Sequence, residues 1–93
     1  MDKKTYGQLV WDYNLPQEDF EAILRGEKVL GNLDQNWAMA RVLENLNYYE
    51  AMKLVSLEYL GKHWRAIKGK LFKNSIKEGY EFVLQRHSIS IAG

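Results

Sequence analysis

The stretch "DQNWAMARVLENL", residues 34–46, decides the fold. Asp34 is a residue type that caps helix N-termini well, because its carboxylate can accept a hydrogen bond from a backbone N–H of the first turn. The apolar residues that follow it recur at the three- and four-residue spacing of a single helix face. That face consists of Met39, Val42, Leu43 and Leu46. The pattern predicts an amphipathic helix over residues 35–46 that buries this stripe against other helices.

Four further segments also carry helical signals. Their ends are marked by a proline suited to a first turn, by glycines that stop helices, and by side chains that can cap. These residues are Pro16, Gly26, Asn47, Ser56 and Gly69. Ser75 and Glu78 have the spacing of a capping box, which predicts the start of the last helix. The predicted helices cover residues 16–25, 48–55, 57–68 and about 75–87.

Both ends of the chain show a different period. Leu9, Trp11, Tyr13 and Leu15 alternate with other residues, and Ile89 and Ile91 alternate with serines. Alternation of this kind is typical of extended chain. The sequence therefore predicts one compact all-α domain, residues 1–93, with about five short helices and extended N- and C-terminal arms.

Composition excludes several classes of function. The chain has 46% hydrophobic residues and no cysteine, so we expect a packed core without disulfides or thiol chemistry. No apolar run is long enough for a membrane span or a signal peptide. His63 and His87 do not have metal-ligand spacing, and no phosphate-binding or nucleophile motif occurs. We expect a cytoplasmic protein that is not an enzyme and that needs no metal or cofactor.

Basic residues concentrate in "LGKHWRAIKGKLFKNSIK", residues 60–77, whereas residues 1–58 are net acidic. Part of this stretch is the expected solvated face of a helix, and Phe72, which is flanked by Leu71, is expected in the core. The alternative is a nucleic-acid interface that contacts phosphates, as in a transcriptional regulator that binds DNA. Its candidate residues are Lys62, Arg65, Lys68, Lys70, Lys73 and Lys77.

Trp37 does not lie on the apolar stripe of its helix. It shares the opposite side with Arg41 and Glu44, and a tryptophan beside an arginine is a combination typical of interface hot spots. The other interpretation is that the helix packs on two sides, with Trp37 against Trp11 or another helix. Tyr49 and Phe82 are similarly off their stripes, so a homodimer formed through these aromatic residues is a further alternative.

The segments "LVWDYNL" and "WAMARVLENLNYYEAMKLV", residues 9–15 and 37–55, resemble a small helical family of uncharacterised prokaryotic proteins. That family carries a short W-D-x motif and a helix with an R-V-L-E-like run, matched here by Trp11 and Asp12 and by Trp37 and residues 41–44. Its members are often encoded beside AbiEii-type nucleotidyltransferase toxins. The resemblance implies an antitoxin-like protein that binds a protein partner. Together with the position of Trp37, it predicts a contact face of Trp11, Asp12, Trp37, Arg41 and Glu44.

Overall fold

The computed structural model describes residues 1–89. Within them the chain folds into seven helices and no sheet, so the all-α prediction is confirmed. Each predicted helix is present, one of them in two pieces, and one helix was not predicted. The helices are α1 (Lys3–Leu9), α2 (Gln17–Leu24), α3 (Gln35–Asn45), α4 (Tyr48–Met52), α5 (Leu57–Lys62), α6 (Trp64–Lys68) and α7 (Asn74–Arg86).

Helix α3 lies at the centre of the fold. Asp34 caps it, since its side chain accepts the backbone N–H of Trp37 at 2.8 Å. Its predicted stripe is buried, and Ala38 and Ala40 are buried as well, so α3 is covered on more than one side. It packs against α1, α2, α4 and α6. This central position follows from the small alanines, which let neighbouring helices approach the α3 backbone closely.

Most of the predicted helix ends are confirmed. The side chains of Asn47 and Ser56 accept backbone N–H groups at the starts of α4 and α5. Gly26 follows α2 with a φ of 77°, a backbone conformation that glycine adopts without strain. The capping box was wrong, because α7 begins one residue earlier, at Asn74, and Lys73 precedes it without a side-chain cap. Ser75 therefore lies inside the first turn.

The prediction of an extended N-terminal arm was wrong for residues 9–13, which end a helix and then form a turn. The side chain of Asp2 accepts the backbone N–H of Thr5 at 2.7 Å and so caps α1. The chain then turns at residues 10–13, where the N–H of Tyr13 donates to the carbonyl of Val10 at 3.1 Å. At the other end, Ile89 packs partly buried against the core. Ile91 of the predicted C-terminal arm lies outside the described residues.

The helix predicted over residues 57–68 is divided at His63. This residue alone leaves helical geometry, with φ −115° and ψ 17°, and its ring stacks on Tyr59 with the centroids 4.2 Å apart. The apolar residues on the two sides of the break still face the core, because Leu60, Trp64 and Ile67 are all buried and Leu57 is half-buried. Within residues 1–89, every helix falls short of the length and apolar character that a bilayer crossing requires.

A candidate partner-binding groove on α3

The outward side of α3 carries three of the five residues predicted for partner binding. Trp37, Arg41 and Glu44 follow one another at four- and three-residue spacing, which places them on one helix face. All three are half-buried, because two connecting segments lie along this face. One segment is the turn between α1 and α2, and the other joins α6 to α7.

Arg41 fixes the first segment. Its Nε donates to the backbone carbonyl of Leu9 at 2.8 Å, and its guanidinium forms an ion pair with the carboxylate of Asp12. Its Cζ also lies 5.5 Å from the ring centroid of Tyr13. The Arg41 side chain is only 18% exposed, so these contacts are partly shielded from water. Arg41 thus holds Leu9, Asp12 and Tyr13 against α3.

Glu44 fixes the second segment. One carboxylate oxygen, Oε1, accepts the backbone N–H groups of Phe72 and of Lys73, the latter at 3.2 Å. The other, Oε2, is buried and has no hydrogen-bond partner within residues 1–89. A carboxylate that accepts two backbone N–H groups makes charge-assisted hydrogen bonds, which are the stronger kind. Glu44 therefore anchors the start of α7 to the centre of the fold.

Between the two segments lies an open groove of about 570 Å³, which we call the α3 groove. Its lining residues come from three parts of the chain: Trp11, Asp12 and Tyr13; Trp37, Ala40, Arg41, Glu44 and Asn45; and Lys70, Phe72 and Lys73. The structure therefore brings together all five residues that the sequence singled out for partner binding. They are separated by up to 33 positions in the chain, and the fold makes them neighbours.

The aromatic rings of the α3 groove differ in their exposure. Trp11 is 75% exposed and Phe72 is 88% exposed, so both rings stand at the rim. Trp37 instead packs against Phe20 of α2, with centroids 5.8 Å apart, and against Tyr13 at 5.2 Å. The structure thus favours the interpretation in which α3 packs on two sides. Trp37 is half-buried, Tyr13 is 41% exposed, and the most exposed rings of the groove are Trp11 and Phe72.

Phe72 is the residue that sequence reasoning placed wrongly. It was expected in the core beside Leu71, and the structure buries Leu71 but leaves Phe72 exposed. Residues 71–73 lie between two helices, so helical periodicity gives no information on which side chain points inward. The signal available in the sequence was the pair of lysines at positions 70 and 73, which flank an exposed segment.

The six candidate phosphate-binding residues do not act as one cluster. Lys68 pairs with Glu81 at 2.7 Å, and Glu81 also accepts the indole N–H of the buried Trp64 at 2.9 Å. The hydrogen bond from Lys68, and then that from Trp64, lowers the pKa of Glu81. Only Lys70 and Lys73 line the α3 groove. The remaining three are Lys62 and Arg65, which are exposed, and the half-buried Lys77.

A second, smaller groove of about 310 Å³ lies between the end of α3 and α7. It is mostly apolar and includes Tyr48 and Tyr80, whose ring centroids are 6.3 Å apart. Burial raises the pKa of Tyr80 to about 12. Tyr49 and Phe82 are 79% and 61% exposed, as their positions off the stripes indicated, and neither lines this groove or the α3 groove.

The two carboxylates of the α3 groove are both engaged within the chain. Asp12 is paired with Arg41, and Glu44 accepts two backbone N–H groups through Oε1. In the part of the chain from residue 1 to 89, no three side chains of the metal-ligating types come together. Comparison of the chain with protein-family models, with curated proteins and with solved structures finds no match.

Proposed function

We propose that this chain is a non-catalytic, cytoplasmic protein-interaction module that holds a segment of a partner protein in the α3 groove. The observation that carries the proposal is the exposure of Trp11 and Phe72, which come from two different segments and line one groove. Large exposed aromatic residues around a concavity are uncommon on proteins that bind nothing, and tryptophan is among the residues most enriched at interface hot spots.

The rigidity of the groove supports the same proposal. Both rims are tied to α3 by a charged side chain, Arg41 on one side and Glu44 on the other. A preformed site spends less of its binding free energy on ordering its own loops. The resemblance described above implies a candidate partner, a nucleotidyltransferase-type toxin of the kind encoded beside members of that family, on which the module would act as an antitoxin.

The first experiment measures, by calorimetry, the affinity of the purified chain for the protein encoded by the neighbouring gene. Trp11→Ala and Phe72→Ala should each weaken binding about tenfold or more, as expected for hot-spot residues. Phe82→Ala is the matched control, because this ring is also exposed but lies outside the α3 groove. Equal affinities for the wild type and the three variants would refute binding in the α3 groove. A loss confined to Phe82→Ala would place the contact on α7.

Failure of the neighbouring protein to bind would remove only the antitoxin assignment. A photo-reactive phenylalanine analogue at position 72 would then identify the partner in cells, with the same analogue at position 82 as the control. The partner identified in this way is purified, and the calorimetry is repeated with the same variants.

Nucleic-acid binding is the second candidate function. It is favoured by one observation, the presence of Lys70 and Lys73 beside exposed rings, since single-stranded nucleic acids bind to cationic grooves with aromatic platforms. Fluorescence anisotropy of labelled DNA at low and moderate salt tests it. Binding that weakens steeply with salt, and that Lys70→Glu with Lys73→Glu abolishes, would establish this function.

A further inference from the structure

The charges around the α3 groove fall into two groups. The carboxylate of Asp12 is paired with Arg41, and Glu44 accepts two backbone N–H groups. These contacts lie within the chain and hold the groove in shape. None of the three side chains has its charge available for an occupant without loosening a rim.

Lys70 and Lys73 form the second group. Both line the groove, both are exposed, and within residues 1–89 no carboxylate lies at ion-pair distance from either ammonium group. They stand on either side of the exposed ring of Phe72 in the sequence. The charge that the groove presents to an occupant is therefore positive and is located at one rim.

The size of the groove limits what can enter it. A volume of about 570 Å³ falls within the roughly 300–1,000 Å³ of sites that enclose a small ligand. It accommodates one large side chain and the backbone beside it, next to Trp11 and Phe72, which line the groove.

From these observations we infer that the occupant of the α3 groove is a short acidic peptide segment with one aromatic or large aliphatic side chain. The apolar side chain lies between the rings of Trp11 and Phe72, and the neighbouring carboxylates pair with Lys70 and Lys73. This inference rests on the proposed function and adds the chemistry of the segment that is recognised.

A peptide fits these observations better than a nucleic acid does. A groove for single strands follows a continuous phosphate backbone with many cations. Within residues 1–89, Lys70 and Lys73 are the lysines that line the groove, and Lys68, the nearest other lysine in sequence, is engaged by Glu81. Two available lysines are enough for a pair of carboxylates but not for a run of phosphates.

The test uses nuclear magnetic resonance with capped pentapeptides at millimolar concentration. The first is Glu-Asp-Phe-Asp-Glu, the second has lysine in place of each acid, and the third has alanine in place of phenylalanine. The acidic phenylalanine peptide should shift the indole N–H signal of Trp11 and the amide signals of Phe72 and Lys73. The indole signal of Trp64 should stay fixed, because that N–H is buried and bonded to Glu81.

A charge exchange tests the assignment of the lysines. In the double variant Lys70→Glu with Lys73→Glu, the lysine peptide should shift the groove signals more than the acidic peptide does, which reverses the preference of the natural chain. An unchanged Trp64 indole signal in the variant would show that its fold is intact.

The outcomes separate this inference from the proposed function. Equal shifts by the acidic and lysine peptides would overturn the charge preference, whereas the groove as a peptide site would stand. If none of the three peptides shifts the groove signals, the inference is overturned, and the calorimetry with the partner protein decides the proposed function. Groove shifts with a thymidine oligonucleotide alone would overturn both and establish the nucleic-acid alternative.

Discussion

Trp64 and Trp11 have the same side chain in two opposite situations. Trp64 is 1% exposed, and its indole N–H donates to Glu81, which Lys68 also contacts. Trp11 is 75% exposed at the rim of the α3 groove. A buried indole needs an acceptor for its N–H, and the chain supplies one from another helix. The comparison indicates that the bulk of Trp64 stabilises the fold, whereas that of Trp11 is available to a partner.

The strongest test of this comparison is truncation of each tryptophan. Trp64→Ala should lower the free energy of unfolding by about 3–5 kcal/mol, because it leaves a large cavity in the core. Trp11→Ala should change it by less than about 0.5 kcal/mol, as is usual for exposed positions. Urea unfolding followed by circular dichroism measures both. Similar losses in the two variants would show that the distinction between a stabilising and a recognising tryptophan is wrong.

A second test concerns how the α3 groove keeps its shape. Glu44→Ala removes the acceptor of the Phe72 and Lys73 N–H groups and should lower the free energy of unfolding by about 1–3 kcal/mol. Hydrogen exchange at these two amides should become faster. Glu44→Gln is the control, because the amide oxygen can still accept those hydrogen bonds. Unchanged exchange in Glu44→Ala would mean that the segment between α6 and α7 is held by other contacts.

The helices and their buried faces were the part of the fold that the sequence predicted best. The stripe of Met39, Val42, Leu43 and Leu46 on α3 was expected to be buried and is buried. The caps at Asp34, Asn47 and Ser56 were also predicted. Each of these features depends on residues a few positions apart, so local spacing is sufficient to identify them.

The α3 groove was predicted only in part. Trp37, Arg41 and Glu44 were found because they share one helix face, and Trp11 and Asp12 came from the family resemblance. Local spacing could not show that Arg41 would bind the carbonyl of Leu9, 32 positions away, and so turn the chain where an extended arm was expected.

Two further differences have different origins. Helix α1 covers Lys3–Leu9, ahead of the alternation, and its Asp2 cap is a local signal that the prediction did not use. Phe72 was expected in the core because its neighbour Leu71 is apolar. For Phe72, contacts with α3 help to determine the backbone path, and tertiary contacts of this kind leave no periodic signal in the sequence.

The smallest effect that we predict concerns the charge of Glu81, which accepts the indole N–H of Trp64. Its pKa lies below the ordinary value of 4.5, because Lys68 and Trp64 donate hydrogen bonds to the carboxylate. The unfolded chain therefore binds the proton more readily, so the stabilisation is complete above pH 4.5 and is lost as pH falls through the lowered pKa. The expected contribution is below about 1 kcal/mol, since the ion pair is partly exposed to solvent.

Glu81→Gln isolates that contribution. Asp2 and Glu27 also have lowered pKa values and are present in both proteins, so they cancel in the difference between wild type and variant. Urea unfolding between neutral pH and pH 3 should show the wild type losing its advantage over Glu81→Gln below pH 4.5. Glu78→Gln, an exposed position on the same helix, should follow the wild type throughout. A difference between wild type and Glu81→Gln that does not depend on pH would mean that Trp64 requires only a neutral acceptor. The ion pair with Lys68 would then add nothing to the free energy of unfolding.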